Sequence, residues 1–312
     1  MNTDTSKRLS TLEVRKVVKR HKRWDLWFVA IGMICMMVCL LTLAALFIEM
    51  ATKGMARISP EFFTNFPSRR AEQAGILSAW VGSLLVMLVT ALAAVPLGVA
   101  AGIYLEEYAK KGWLADFIEI NITNLAGVPS IVYGLLALGL FVYQFGLGQS
   151  ILSAGLTLAL LILPIVIVAT RESIRSIPGM IREGAYALGA TRWQMVQHHI
   201  VPYSMPGILT GVIIGMARAI GETAPIITIG ALTFIAFLPP MPGRGEPPAG
   251  LFDWLSSPFT VMPIQMFNWT SRPEEAFQTN AAAAGFVLVL MTLAMNGVAI
   301  WLRYRWRKNI NW

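Results

Sequence analysis

The chain has 312 residues, 56% of them hydrophobic and only 13% charged, with a net charge of +8. A soluble domain carries about 25% charged residues, so a soluble protein is excluded and a polytopic membrane protein is the class that fits. Lys and Arg collect in the two termini, which marks membrane topology far more than nucleic-acid binding.

Residues 1–25 hold eight Lys or Arg against three acids, with Leu9, Leu12, Val14, Val17 and Val18 at loosely helical spacing. This basic cytoplasmic N-terminal segment reads either as a helix on the membrane surface or as a disordered tail. Residues 26–48 are 23 uncharged residues, enough to span a bilayer core of ~30 Å, and too long for a cleaved leader. Cys35 and Cys39 inside this run are apolar fillers rather than a disulfide or metal pair. With three His and two Cys in all, no metal site can be argued.

A polar loop over 49–75 leads to a second uncharged run, 73–105, in which Pro96 predicts a kink. After the charged connector Glu106–Glu119, no charge appears for 51 residues, Ile120 to Thr170. That length suits two spans joined at a Gln144–Ser150 turn with Gly146 and Gly148. Near its start, Asn124-Leu125-Ala126-Gly127-Val128-Pro129-Ser130 predicts a helix broken at membrane depth. Such breaks are tolerated where backbone is buried in protein or lines a cavity.

Residues 171–204 form a soluble-looking helical insert carrying Arg171, Glu172, Arg175, Arg182, Glu183 and Arg192, with Pro202 and Pro206 predicted to end it. A span over Tyr203–Leu238 follows, broken or bent at Pro225, then a Pro- and Gly-rich loop over 239–275 with a half-apolar patch from Phe252 to Trp269. The last run, 276–302, ends in Arg303, Arg305, Arg307 and Lys308, and a short tail of 309–312 closes the chain. Two basic termini place both ends in the cytoplasm and require an even number of spans, for which six fit. The domain reading is therefore one six-span transmembrane unit over 26–308.

Inside the fifth span, Arg218-Ala219-Ile220-Gly221-Glu222-Thr223-Ala224-Pro225 puts a full charge pair in apolar surroundings. An arginine at a bilayer centre costs at least ~2.5–3.5 kcal/mol on insertion scales, so it faces a bundle interior or a wet cavity. Four residues apart, Arg218 and Glu222 share a helix face. They form either a self-neutralising structural pair or an anion site on a transport path.

Glu183-Gly184-Ala185, then Gly189, then Val201-Pro202, resembles the EAA loop of ABC importer permeases. In that family the loop is a helix-turn-helix that docks into a separate ATPase. Gly184 stands for the first Ala of the pattern, and His199 and Val201 for Ile and Leu. The surrounding Arg182–Thr191, Gly127-Val128-Pro129-Ser130-Ile131-Val132, Ala217–Pro225 and Pro258-Phe259-Thr260 with Asn268-Trp269 are similar to PstA-type permeases of the phosphate-specific ABC importer. The likeness covers about residues 75 to 303.

The resemblance implies an all-α, polytopic membrane protein with six transmembrane helices and the type I ABC importer permease fold, in the cell inner membrane. It implies a second homologous permease, two ATPase subunits and a periplasmic phosphate-binding protein as partners. The sequence has no G-x-x-x-x-G-K-[ST] pattern, so ATP hydrolysis, with ATP and Mg, is expected on a separate ATPase, and the resemblance implies a transport subunit that is itself no enzyme and holds no cofactor. Phosphate offers oxygens that suit a guanidinium fork, so Arg218 and Glu222 become the substrate-path candidates. Arg171, beside Glu172, is either an interface anchor or an exit site for the anion. Asn124 and Ser130 either donate to phosphate or satisfy freed backbone. Glu183, Gly184, Ala185, Gly189 and Pro202 carry the ATPase coupling. Rival readings are a permease for sulfate, molybdate or phosphonate, a stand-alone channel or secondary transporter, and a membrane enzyme.

Overall fold

The computed structural model describes residues 11–110, 112–240, 243 and 250–307, so the first ten residues of the basic segment and the 309–312 tail lie outside it. Among the described residues every regular element is helical. The chain divides into two compact units, Met1–Thr52 and Lys53–Trp312.

The first unit is occupied by one helix, α1 (Thr11–Gly54). The basic segment and the span from residue 26 are thus continuous, not separate elements. No proline and a single glycine, Gly32, stand between residues 11 and 53, so nothing in the sequence stops the helix. Cys35 and Cys39 are free thiols.

The second unit begins with the short α2 (Pro60–Thr64), started by Ser59, whose hydroxyl accepts the Phe62 N–H at 3.3 Å. Then come α3 (Leu77–Ile103), α4 (Trp113–Leu125), α5 (Ser130–Ala137) and α6 (Ile151–Arg175). They are followed by α7 (Gly179–Ala187), α8 (Arg192–Met195), α9 (Val201–Gly221) and α10 (Ala224–Ile229). Helices α11 (Met262–Thr270) and α12 (Glu275–Arg307) complete it. Wide π-type turns extend α3 over Tyr104–Tyr108 and α5 over Leu138–Gln144, and join α8 to α9 over Val196–Ile200. Pro96 lies inside α3, which runs on through it.

Five stretches are long and apolar enough to cross a membrane: Trp24–Arg57, Leu77–Tyr108, Ile151–Arg175, Arg192–Gly221 and Glu275–Arg305. The sixth expected span is a broken pair, Trp113–Leu125 and Ser130–Gln144, bent by 105°. The break falls on the Gly127-Val128-Pro129 stretch, and Gly146 and Gly148 make the following turn with φ of 66° each.

Two expected boundaries move. The fifth span does not begin at Tyr203: α8, the π-turn and α9 form one helix from Arg192, and neither Pro202 nor Pro206 ends it. The π-turn closes with the Val201 N–H on the Val196 carbonyl, and a widened turn just before a proline absorbs its missing donor. Nor does that span reach Leu238, because α9 stops at Gly221.

Helix α6 is the centre of the unit, packed on α3 along one side and α9 along another. Apolar lipid gives helices no hydrophobic reason to associate, so contact is built from small residues that let backbones approach. Gly98 and Gly102 of α3 meet Val166 and Thr170, and Gly207 and Gly211 of α9 meet Ser173 and Ala169. A Cβ at Gly98 would stand 2.7 Å from Val166 Cγ1. The core joins Val86 and Val89 of α3, Leu158 and Ile162 of α6, Ala219 and Ile220 of α9, and Phe259 and Val261 of the following loop.

At the end of the bundle where α3 and α6 begin, the 252–269 patch is partly an interior feature. Phe252 and Phe267 are exposed, but Met262, Ile264 and Trp269 are buried, with Trp269 against Phe62. Ser83 Oγ accepts the Met262 N–H at 2.8 Å, which pins α11 to α3. Arg57 ties down the preceding loop. It donates to Asn280 Oδ1 at 3.0 Å and to the carbonyls of Ala71 and Ala74.

Candidate functional site

Arg218 occupies the last turn of α9, where a cation is favoured by the unpaired carbonyls of a helix C-terminus. Glu222 is the first residue past the helix, with extended backbone (φ −78°, ψ 123°). The helix cannot continue, since Pro225 has no N–H to give the Gly221 carbonyl. Arg218 Nε donates to Glu222 Oε1 at 3.2 Å. The Arg218 side chain stays 39% exposed and that of Glu222 18%. The guanidinium therefore keeps donors on an open side.

The depth of this pair follows from its neighbours. Gly215 packs on Ile162, and Glu222 lines a small cavity with Ser83, Val86, Leu158, Ile226 and Val261. Leu158 to Ile162 lie about 10–16 Å along α6 from Ile151 at ~1.5 Å per residue. The uncharged part of α6 runs from 151 to 170, so the pair sits near its middle.

Both broken segments converge here. Gly134 of α5 packs against Pro225 and Thr228 of α10, where a Cβ would come within 2.6 Å of Pro225 Cα. The adjacent Tyr133 donates its hydroxyl to the Leu125 carbonyl at 2.7 Å, bridging the break between α4 and α5. Tyr133 also packs against the cluster containing Ala219 and Ile220, the residues that follow Arg218. Sequence reasoning does not single out Tyr133, although its place three residues into α5, beside a predicted break, is a usable signal. Asn124 is exposed at the end of α4, and its carbonyl rather than its amide takes the Gly127 N–H at 3.0 Å. Ser130 opens α5, half-buried. Among the described residues Arg218 bonds to Glu222 and to neither of these two.

Arg171 lies at the opposite end of α6, away from this pair and among carboxylates. It is 8% exposed and pairs with Glu119 at 2.8 Å and Glu106 at 3.5 Å. Arg175 also takes Glu106 at 3.0 Å and Glu172 at 3.4 Å. Arg182 of α7 holds Glu107 at 2.8 Å. The sequence shows both halves of this network, as acids in 106–119 and arginines in 171–182, without showing that they meet.

The loop between α6 and α9 is built by local rules. Gly189 takes a left-handed φ of 83°. Its N–H bonds the Tyr186 carbonyl at 2.9 Å, and the Ala190 N–H bonds the Ala185 carbonyl at 3.0 Å, the paired closure of a glycine-stopped helix. Thr191 and Gln194 then start α8 with reciprocal side-chain to backbone bonds of 3.3 and 2.8 Å. Ala185 is buried against Ile174, Ile177, Met195, Val196 and Ile200, whereas Glu183 and Gly184 face outward. Pro202 is in the first turn of α9. His199 is exposed, and the apolar contact expected at its position falls to its neighbour Ile200. Met180, Tyr186, Leu188 and Trp193 are exposed on the same loop, Leu188 at 91%.

Residues 94–310 match the family described as binding-protein-dependent transport system inner membrane component. The chain belongs to this permease family. It is 31% identical over 274 residues to the probable ABC transporter permease protein YqgI of Bacillus subtilis, covering 86% of this chain and 91% of that one. It is 32% identical over 256 residues to the phosphate transport system permease protein PstA of Yersinia pestis, covering 80% and 79%. It is 31% identical over 230 residues to the PstA 1 permease of Mycobacterium tuberculosis, covering 74% and 71%. In fold, this permease is similar to a chain of a bacterial importer of the acidic polysaccharide alginate. That likeness has a TM-score of 0.60, 16% identity and coverage of 93% and 99%. A chain of the inward-facing MetNI methionine transporter matches with a TM-score of 0.54, 13% identity and coverage of 72% and 93%. The permease is thus an all-helical, multi-pass transport component, as its composition and loop spacing lead one to expect.

Proposed function

We propose that this permease subunit carries inorganic phosphate inward across the inner membrane by alternating access. The observation that carries the reading is Arg218, level with the uncharged middle of α6, where two interrupted helices meet and, among the described residues, one carboxylate shares its guanidinium. A charge so placed is expected on a substrate path, and discontinuous helices supply polar backbone at the same depth. The fork geometry of arginine suits a tetrahedral oxyanion better than the point charge of lysine does. Relatives named as phosphate permeases, at 31–32% identity, support the cargo.

In this reading the 179–204 loop docks on a separate ATPase, which holds ATP and Mg. Glu183 and the exposed Met180, Tyr186, Leu188 and Trp193 present the contact, while Ala185, Gly189 and the helix through Pro202 keep it rigid. A second homologous permease and a periplasmic phosphate-binding protein complete the importer. Both basic termini lie in the cytoplasm, which puts this loop on the cytoplasmic side. Arg218 and Glu222 line the path, with Asn124 and Ser130 at its rim on the broken span.

The cargo is tested by uptake of labelled phosphate in cells lacking their own subunit, with excess sulfate, molybdate or phosphonate as competitor. Restored uptake that only unlabelled phosphate suppresses is the expected result. An assembled complex that moves no phosphate, or moves it only until sulfate is added, would overturn the cargo.

A further inference from the structure

Two consecutive carboxylates at the end of α3 serve two different sets of arginines. Glu106 takes Arg171 and Arg175 of α6, whereas Glu107 takes Arg182 of α7. Glu107 is 7% exposed, and both its bonds come from one guanidinium, at 3.0 and 2.8 Å. Arg182 also donates to the carbonyls of Ile177 at 2.9 Å and Ile174 at 3.1 Å, at the unpaired end of α6. One side chain thereby fastens the docking helix to two spans at once. Beside it, Arg192 of α8 lies over the Tyr108 ring at 5.4 Å.

The connection continues into the broken span. Arg171 and Arg175 of α6 both reach Glu119 of α4, and α4 runs directly to the break that Tyr133 bridges. Charge-assisted bonds thus link α7 to α3 through Glu107, and α3 to α6 and α4 through the adjacent Glu106, and the 105° bend after Leu125 stands at the far end of that path.

We propose that the Glu107–Arg182 pair is the joint through which movement of the docking helix reaches the break between α4 and α5. Glu107 and Arg182 are positioning residues: neither touches substrate. This inference rests on reading the 179–204 loop as the ATPase-docking element, but not on phosphate as the cargo. A joint needs two properties, stiffness and a bistable element to act on. The fourfold-bonded guanidinium supplies the first. The break, bridged by the Tyr133–Leu125 bond, is the element it would act on. Ala185 of α7 also packs with Ile174, Ile103 and Tyr108, and to those apolar contacts with α6 and α3 the pair adds a directed, charge-assisted bond.

The test uses the complete complex, with Cys35 and Cys39 replaced by serine and Ala126→Cys placed in the exposed break. Maleimide labelling is followed with and without trapped ATP. In the otherwise unaltered complex the labelling rate is expected to change by about threefold or more between the two conditions. Glu107→Gln and Arg182→Gln are each expected to abolish that change while the ATPase still co-purifies and still hydrolyses ATP. The double substitution is expected to be no worse than either single one, since the two act as a unit. Arg182→Lys is expected to recover part of the change. A nucleotide response that survives both single substitutions, additive losses in the double, or a break that never responds to ATP would overturn the proposal. Loss of co-purified ATPase in the single variants would also overturn it, showing that the pair shapes the docking surface only. A failure of the cargo reading would appear separately, as an absence of phosphate uptake with the labelling response intact.

Discussion

Arg171 gives its guanidinium to Glu119, 52 residues earlier in the chain, at 2.8 Å. With Glu106 on its other edge at 3.5 Å, it is neutralised by carboxylates on two helices. An arginine so occupied offers little to a passing anion. It fastens the start of the broken span to the end of α6.

Substituting Arg171 should therefore register as stability rather than affinity. Arg171→Gln leaves two acids facing each other with one fewer cation. Breaking a fully buried pair costs ~3–5 kcal/mol, and the exposed flank of Glu119 reduces this to about 1–3 kcal/mol. Thermal unfolding of the purified complex in detergent should drop accordingly, with the half-saturating phosphate concentration of the surviving protein unchanged. A shift in that concentration without loss of stability would place Arg171 on the path.

On the proposed reading, Glu222 tunes how strongly Arg218 holds phosphate. Glu222→Gln removes the negative charge beside the guanidinium while keeping the side-chain shape. Phosphate should then bind about 3- to 10-fold more tightly to the trapped intermediate and leave more slowly, so that maximal uptake falls. Binding and flux in reconstituted vesicles measure the two effects. Unchanged values for both would make Glu222 a bystander.

Gly189 is needed for its backbone. At φ 83° an L side chain is strained, and Gly189→Ala should cost ~1–2 kcal/mol, although a Cβ there meets no neighbouring atom. The paired bonds to Ala185 and Tyr186 would loosen, and less ATPase should co-purify. Retention of wild-type amounts, with uptake intact, would show that the turn needs no left-handed residue.

Much of this architecture is legible in the amino-acid sequence. Uncharged runs of span length, the glycines at 146, 148 and 189 and the break at Gly127-Val128-Pro129 each encode a local rule, and each appears in the fold. Span boundaries are not legible where local and tertiary effects compete. Pro202 reads as a stop, yet a π-turn just before it lets the helix pass. A break at Pro225 is legible and ends the hydrogen-bonded ladder, but the return of the following chain, with the Leu232 N–H on the Phe259 carbonyl at 3.0 Å, is not. The candidate site is half visible. The spacing of Arg218 and Glu222 announces their bond. The approach of Tyr133 and the pairing of Glu107 with Arg182 depend on contacts between residues 75 or more positions apart, which no periodicity records.

The central claim is that Arg218 binds the cargo within the path. Its most direct test is labelled-phosphate uptake by the assembled importer carrying Arg218→Gln or Arg218→Lys, at equal membrane abundance and with equal co-purified ATPase. The account expects Gln to abolish uptake and Lys to retain roughly a tenth of it, because lysine keeps the charge but not the donor fork. Wild-type uptake in the Gln variant would contradict it, leaving Arg218 and Glu222 as a structural pair at the end of α9.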